Sequence, residues 1–279
     1  MKTTAKSLLR KSLRPILNTP KILKQQWEFV KSDIEVSGQK MLPSKRLDYI
    51  GGGDFKAIGN EFFRYFTEFA NLQKTDRVLD IGCGLGRMAV PLTSYLTRDT
   101  EYHGVDVVQK GIKWCNQNIS SEFPNFYFHL LDVKNPFYRE KGESAAQYKL
   151  PFADSSFDFI CLNSVFTHMQ IEEMENYLGE VSRLLKPNGK CLVTYFLLNP
   201  ESEALIKAGK ATHQFAFCKG EMKLQNPNVP EEAVAYNECY ILNQFKEAGL
   251  EIRFPIYYGN WCKRQNSVGY QDKIVAYKH

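Results

Sequence analysis

Asp80, Gly82, Gly84 and Gly86 stand at alternate positions in the stretch VLDIGCGLGRMAV, Val78–Val90. The stretch begins with apolar residues that suit a buried strand and ends in a helix-forming segment. Glycines at such a junction let a ligand come up against main chain with no side chain in the way, and bare amides and a helix N-terminus are expected to face it. The spacing is D-x-G-x-G-x-G. It departs from the dinucleotide pattern G-x-G-x-x-G, because Arg87 stands where the third glycine would fall. A pyrophosphate wants more amides and a tighter turn. A carboxylate ahead of a shorter cradle suits a nucleoside that carries a cationic amino-acid tail. Taken alone, the run also fits a tight strand-to-helix turn with no ligand.

Two further acids extend the pattern. Asp106, 20 residues after Gly86, ends a second apolar stretch, where a carboxylate can accept both hydroxyls of a ribose. Asp132 ends a third, in LLDV; there it can take an adenine amino proton while the amide of Val133 meets a ring nitrogen. Carboxylates gathered at the ends of adjacent strands repel one another unless something binds between them. For proton removal, His168 in SVFTHM is the best-placed base, since an imidazole titrates near neutrality. A histidine there equally caps the next helix. His103 and His129 fall in strands, His279 is the last residue, and His213 lies in a polar insertion from which a lid would bring it to the site.

The elements that must position these residues follow from periodicity. Strands are expected at 77–81, 102–106, 126–131, 157–163, 190–197, 250–257 and 273–277. Between them lie helical patterns at 87–96, 108–119 and 171–186, and PEEAVAYNECYILNQFKEAG, ending at Gly249, reads as one more helix. Such alternation builds a mostly parallel sheet with helices on both faces. Ahead of it, Ile58, Phe62, Phe66 and Phe69 form an apolar stripe on a helix that follows the hinge YIGGGD. Lys134–Lys149 and Gly209–Val229 are polar and too long for ordinary loops, which makes them candidate lids.

These motifs together resemble those of class I S-adenosylmethionine-dependent methyltransferases. The segments that carry the likeness are VLDIGCGLGR, HGVDVV, LLDV, LPFADSSFDFICLNSVFTHM and LLKPNGKCLVTYF. The resemblance implies a Rossmann-like seven-stranded, mostly parallel sheet with helices on both faces and its last strand antiparallel. It implies S-adenosylmethionine as cofactor, S-adenosylhomocysteine as product, and no metal. It places Gly82, Cys83 and Gly84 along the methionine moiety, with Cys83 a small packing residue. Asp80 holds the loop or the amino group, and Arg87 reaches toward the methionine carboxylate. Asp106 and Val107 take the ribose, Asp132 and Val133 the adenine, and Asn163 sits beside the transferred methyl. His168 is the candidate catalytic base. The loop between the last two strands borders the acceptor pocket in the family, so Tyr258, Trp261 and Arg264 are expected to form an aromatic and cationic substrate wall.

Charge divides the chain. Of 36 Lys/Arg and 31 Asp/Glu, residues 1–46 hold eleven basic and three acidic ones, so a basic arm of net +8 precedes a body of net −3. The arm, residues 1–46, carries two weakly amphipathic segments, SLLRKSL and KILKQQWEFV, and could dock on an anionic membrane surface or simply pack on the body. Residues 47–279 form the methyltransferase domain. An acidic body disfavours a nucleic-acid channel, and LNSVF stands where base-amino methylases carry N-P-P-aromatic. Seven scattered cysteines without a C-x-x-C pair fit free thiols in a reducing compartment, so the expected location is cytoplasmic or peripheral at a membrane. The expected acceptor is a small molecule, glycan or lipid-linked molecule, methylated at oxygen. The alternatives are a protein or nucleic-acid acceptor, or a catalytically silent relative. The oligomeric state is left open.

Overall fold

The computed structural model describes residues 41–47, 49–135, 139 and 141–279. Both amphipathic segments expected in the basic arm lie outside the described residues. The chain divides into two units, Met1–Gly52 and Gly53–His279. The division therefore falls inside the YIGGGD hinge, a few residues beyond the expected boundary at residue 46.

The second unit opens with α1 (Phe55–Glu68). Asp54 starts it, holding an extended backbone while its carboxylate accepts the Ala57 N–H at 2.7 Å. There follow β1 (Val78–Ile81), α2 (Ala89–Leu92), β2 (Tyr102–Asp106), α3 (Gln109–Cys115), β3 (Phe126–Leu130), and the short strands β4 (Val133–Lys134) and β5 (Glu143–Ser144). Next come β6 (Phe157–Leu162), α4 (Ile171–Leu184), β7 (Leu185–Tyr195), β8 (Leu197–Leu198), α5 (Pro200–Lys207), β9 (Phe217–Lys219) and β10 (Met222–Leu224). The chain ends with β11 (Val234–Asn237), α6 (Glu238–Glu247), β12 (Leu250–Ile252) and β13 (Asp272–Lys278).

Seven strands share the main sheet, in the order β12-β13-β7-β6-β1-β2-β3. Only β13 runs against its neighbours; the other pairings are parallel. Successive residues of β6 show why both faces are covered. Phe159 meets Phe66 of α1 edge-on at 5.1 Å, while Ile160 joins a core with Met174, Leu178 and Val181 of α4. Phe66 is fully buried, which contributes about 1.5–3 kcal/mol. From β1 the chain winds outward through β2 and β3, then returns to lay β6 against the other side of β1. That reversal opens a crevice at the carboxyl ends of β1 and β6, where ligands bind in open α/β sheets.

Three expectations fail here. PEEAVAYNECYILNQFKEAG is not one helix: Pro230–Glu232 form a single 3-10 turn, then β11, then α6, whose cap is Asn237. Val234, Ala235 and Tyr236 are all buried, and their main chain pairs on both sides, with β10 and β8. Tertiary pairing thus overrides a good helical pattern. The resulting four-stranded sheet, β8-β11-β10-β9, absorbs much of the polar insertion at 209–229. The helix after the glycines is also short, Ala89–Leu92 in place of 87–96, because turns flank it on both sides.

The third concerns the expected substrate wall. Trp261 and Arg264 face inward, not toward an acceptor. Asp272, fully buried at the start of β13, accepts four donors: Leu197 N–H (2.8 Å), Gly259 N–H (2.7 Å), Trp261 Nε1–H (2.7 Å) and the Arg264 guanidinium (3.1 Å). Arg264 also meets Glu201 at 2.7 Å and lies over the Tyr258 ring at 4.2 Å, while the Tyr258 hydroxyl donates to Glu238 at 2.9 Å. A buried carboxylate with this many donors is a clamp between the last strand, the preceding loop and β8. Asp272→Ala strips the Leu197, Gly259 and Trp261 N–H groups of their acceptor and leaves the buried Arg264 with Glu201 as its counter-charge, so denaturant unfolding should show a loss of about 3–5 kcal/mol; a loss under about 1 kcal/mol, the scale of an exposed pair, would mean that the clamp carries no weight.

Candidate active site

The glycine run leaves β1 at the crevice and bends three times through the left-handed region, with φ of 80° at Gly82, 57° at Gly84 and 70° at Gly86. Gly82 shows why a side chain is barred. A Cβ there would stand 2.5 Å from Val165, in the segment after β6. The two lips of the crevice thus touch at a residue without a side chain. One expectation needs revision. The amides of Gly82 and Cys83 donate to Val105 O at 2.8 and 3.0 Å, Gly84 N–H to Asp106 Oδ2 at 2.8 Å, and Gly86 N–H to Cys83 O at 2.8 Å. The loop is bare in the steric sense, but these amides fasten it to β2 and to itself. Cys83 packs with its Cβ 3.0 Å from a Cβ built on Gly104, and burial pushes its thiol up, as suits a packing residue.

Asp80 is buried beneath this loop. The Tyr102 hydroxyl donates to its Oδ2 at 2.6 Å, while Oδ1 is enclosed without a hydrogen-bond partner. Burial pushes the carboxyl up from the ordinary 3.8 to about 6, against lowering contributions from Tyr102 and the nearby Cys161 thiol. Asp106 is also buried. It accepts Gly84 N–H at 2.8 Å on one oxygen and Val108 N–H at 2.7 Å on the other; burial raises its pKa and those N–H groups pull it back. Each of Asp80 and Asp106 raises the pKa of the buried Cys115 thiol, so the two carboxylates share one neighbourhood.

Asp132 sits differently. Its side chain is 67% exposed and paired with Arg139, and its carbonyl accepts Glu143 N–H at 2.8 Å. An adenine amino group would have to displace or share that ion pair. Val133 is buried in β4, and Val107 is half-buried against the main core. Arg87 is buried with its guanidinium 5.6 Å from the Phe55 ring, at the first turn of α1. At the end of β6 both the Nδ2 and Oδ1 atoms of Asn163 are enclosed without a hydrogen-bond partner. Buried polar atoms of this kind are costly unless something satisfies them. Asp80 on β1 and Asn163 after β6 thus leave a carboxylate oxygen and an amide unsatisfied at the same end of neighbouring strands, donors and acceptors that a ligand with an ammonium group and further polar groups would fit.

The acceptor side holds residues that sequence reasoning did not single out. Ser164 takes a φ of 60°; its N–H donates to Thr194 Oγ1 at 2.7 Å, and its hydroxyl accepts Gln271 Nε2–H at 2.8 Å. Strain of this kind in a non-glycine residue concentrates at functional sites. Thr194, a buried hydroxyl within an apolar strand, was the visible signal. His168 closes a 3-10 turn, Phe166–His168, and its Nδ1 lies 2.8 Å from the Glu231 carbonyl. A carbonyl only accepts, so in this contact Nδ1 is the donor. Burial lowers the His168 pKa, with the Glu231 and Glu232 backbone opposing it. His213 stands near enough to lower it slightly further, is held by Gln225, and packs 4.9 Å from the Phe196 ring.

Residues 72–249 match a family described as a methyltransferase domain. The chain belongs to that family. An uncharacterized methyltransferase of Schizosaccharomyces pombe is 30% identical over 154 residues, covering 53% of this chain and 51% of the yeast protein. The 27-O-demethylrifamycin SV methyltransferase of Amycolatopsis mediterranei is 28% identical over 134 residues, 48% of this chain and 43% of that one. A tRNA N(3)-cytidine methyltransferase of Gallus gallus is 23% identical over 164 residues, 56% and 40%. This methyltransferase thus spans about half the length of these curated relatives, or less. In fold it is similar to a solved S-adenosylmethionine-dependent methyltransferase of Methanosarcina mazei, with a TM-score of 0.52 and 22% identity over 76% of this chain and 96% of the other.

Two measurements test the site of this methyltransferase. An ionised Asp80 without a counter-charge destabilises the fold; that cost is absent below about pH 4, grows as pH rises through the raised value of about 6, and then levels off. Asp80→Asn should therefore be more stable than the parent by a few kcal/mol at pH 8, with the gap closed by pH 4, and should bind S-adenosylhomocysteine more weakly. A variant equally stable at both pH values would refute the burial of that charge. Asp106→Asn keeps an acceptor for one of the two N–H groups, so the loop should hold while calorimetry reads a large loss of S-adenosylhomocysteine affinity; unchanged affinity removes Asp106 from the site.

Proposed function

We propose that this methyltransferase transfers the methyl group of S-adenosylmethionine to a hydroxyl of a small-molecule, glycan or lipid-linked acceptor, with His168 as the base. The observation that carries the reading is the placement of His168, which closes the turn after β6 with its Nδ1 2.8 Å from the Glu231 carbonyl. Burial lowers its pKa and so favours the neutral ring. A neutral imidazole with Nε2 as acceptor suits removal of a hydroxyl proton. The unpartnered atoms of Asp80 and Asn163 support the cofactor: the carboxylate is placed to hold the ammonium, and Asn163 to meet its polar groups across the crevice. Asp106, at the end of β2, would accept the ribose hydroxyls.

When bound, the cofactor supplies a methyl group on a sulfonium whose departure leaves a neutral thioether. The chain's own share is alignment, exclusion of water, and a proton accepted at Nε2. Alignment alone can contribute as much as about 7–11 kcal/mol, and a positioned base a further factor of about 10²–10⁴. The rifamycin relative bears an oxygen position in its name, in keeping with a hydroxyl acceptor. The tRNA relative points elsewhere, but the body's net −3 and LNSVF at the end of β6 weigh against a nucleic-acid acceptor. Among the described residues no helix is long and apolar enough to cross a membrane, so a lipid-linked acceptor would be met at a surface.

The test is transfer of an isotopically labelled methyl group to a panel of hydroxyl-bearing small molecules, glycans and lipid-linked sugars, with tRNA and protein as controls. Label on a hydroxyl is the expected result; label on tRNA or protein alone overturns the reading. With an acceptor in hand, His168→Ala should lower turnover by about 10²–10⁴ and leave S-adenosylhomocysteine affinity unchanged. Undiminished turnover would remove His168 from the proton transfer.

A further inference from the structure

Resting on the reading in which the end of β6 faces the transferred methyl, we infer that Lys273 is a positioning residue: its buried ammonium fixes Gln271, and Gln271 holds Ser164 in the turn that places Asn163 and Val165. Lys273 follows Asp272 in β13 and is fully buried, where a lysine is almost never found without partners. Its Nζ donates to Val268 O at 2.6 Å and to Gln271 O at 2.7 Å, and lies 4.7 Å from the centre of the Tyr65 ring on α1. Two carbonyls and an aromatic face thus meet its three protons. The Tyr65 hydroxyl in turn donates to Glu61, one helical turn earlier. Burial lowers the amine from the ordinary 10.5 to about 8, against the raising charges of Asp272 and Glu61, so it keeps its proton at pH 7.

The chain from Val268 to Gln271 is wrapped round this ammonium. Gly269 O accepts Asn260 N–H at 3.0 Å and Tyr270 O accepts Trp261 N–H at 3.1 Å; the carbonyls of Val268 and Gln271 are the ones that Lys273 holds. Gly269 bends at a φ of 63°, and a Cβ there would stand 2.7 Å from the Tyr65 hydroxyl and 3.1 Å from Lys273 Nζ. Gln271 therefore leaves the loop with its main chain fixed, and its Nε2–H reaches Ser164 Oγ at 2.8 Å. Ser164 is held twice more, by Thr194 Oγ1 at its N–H (2.7 Å) and by Thr167 at its hydroxyl (3.3 Å). Its φ of 60° is one that a serine keeps only when its surroundings impose it. On one side of this turn stands Asn163, with both side-chain polar atoms unsatisfied; on the other stands Val165, whose Cγ2 lies 2.5 Å from where a Gly82 Cβ would be. Release of Ser164 would move both, and a displacement of about 1 Å is enough to cost a factor of about 10² in a positioned reaction.

The path from Lys273 to Ser164 can be followed without an acceptor. S-adenosylmethionine labelled with ¹³C at its methyl, bound in excess to the ¹⁵N-labelled full-length protein, reports the surroundings of the methyl and holds the variants folded by mass action. The side-chain amide signals of Gln271, identified by their absence in Gln271→Ala, report its bond to Ser164. Lys273→Met keeps the buried stem and removes the ammonium; it should move the Gln271 amide signals toward those of a free glutamine and shift the bound-methyl signal. Gln271→Ala, at a partly exposed position, should shift the methyl signal the same way. The double variant should go no further than Gln271→Ala alone, because the two residues act in series. Gln271 signals unmoved in Lys273→Met overturn the inference, and so do methyl shifts that add in the double variant. A methyl signal that Asn163→Ala moves and Gln271→Ala does not also overturns it. Failure of the reading beneath it shows differently, as a methyl signal that Asn163→Ala leaves in place, while the Gln271 signals still report whether Lys273 holds that residue.

Discussion

The geometry of the site depends on one inward-facing carboxylate. Asp106 ends β2, and its two oxygens capture Gly84 N–H from the glycine loop and Val108 N–H from the chain entering α3. The first bond ties the loop after β1 to the strand beside it. The second turns the main chain away from the sheet. With Gly82 and Cys83 also fastened to Val105 O, the cradle is a rigid extension of two strands, not a loop that forms around a ligand. Rigid placement of this kind lowers the ordering cost of binding. It also explains why the carboxylate tolerates burial, since charge-assisted hydrogen bonds to backbone N–H groups offset part of the desolvation.

Opposite this rigid lip, the acceptor side is assembled from segments distant in sequence. Ser164 and His168 follow β6, Gln271 precedes β13, Glu231 lies in the turn ahead of β11, and Tyr236 is in β11. The aromatic cluster of Phe196, Phe215 and Trp261 beneath the insertion gives that side its own core. The site therefore has two halves with different origins. The cofactor half is local to β1 and β2. The half around Ser164 and His168 requires the segment that leads into β11 to be in place before the His168 ring meets the Glu231 carbonyl.

That difference accounts for what could be read from the sequence. The strands at 78–81, 102–106, 126–130 and 157–162 were legible because each is a compact apolar run bounded by turn residues; all but the edge strand at 126–130 are covered on both faces. Asp80, the glycines and Asp106 were legible because their spacing is local. The small sheet was not. VAYN in β11 is too short to show a period of two, and it sits between a proline-led acidic turn and a true helix, so the three merge into one plausible helical pattern. Trp261 and Arg264 carry residue types that favour binding surfaces, and only their shared partner Asp272 reveals that both are spent on a buried carboxylate. Asp132 was placed correctly along the chain, but its partner Arg139 comes from an insertion whose return to the sheet no periodicity announces.

One continuous run of chain, β7 into β8, leaves the large sheet and enters the small one, with only Phe196 between them. The two sheets are thereby tiles of one mosaic, with this run of chain and the bond from Leu197 N–H to Asp272 as grout between them. The hairpin of β9 and β10 pairs outward from β11 and meets the glycine cradle nowhere among the pairings of the large sheet. Sequence change in that hairpin can therefore accumulate without disturbing the backbone pairings that hold the glycine cradle in place.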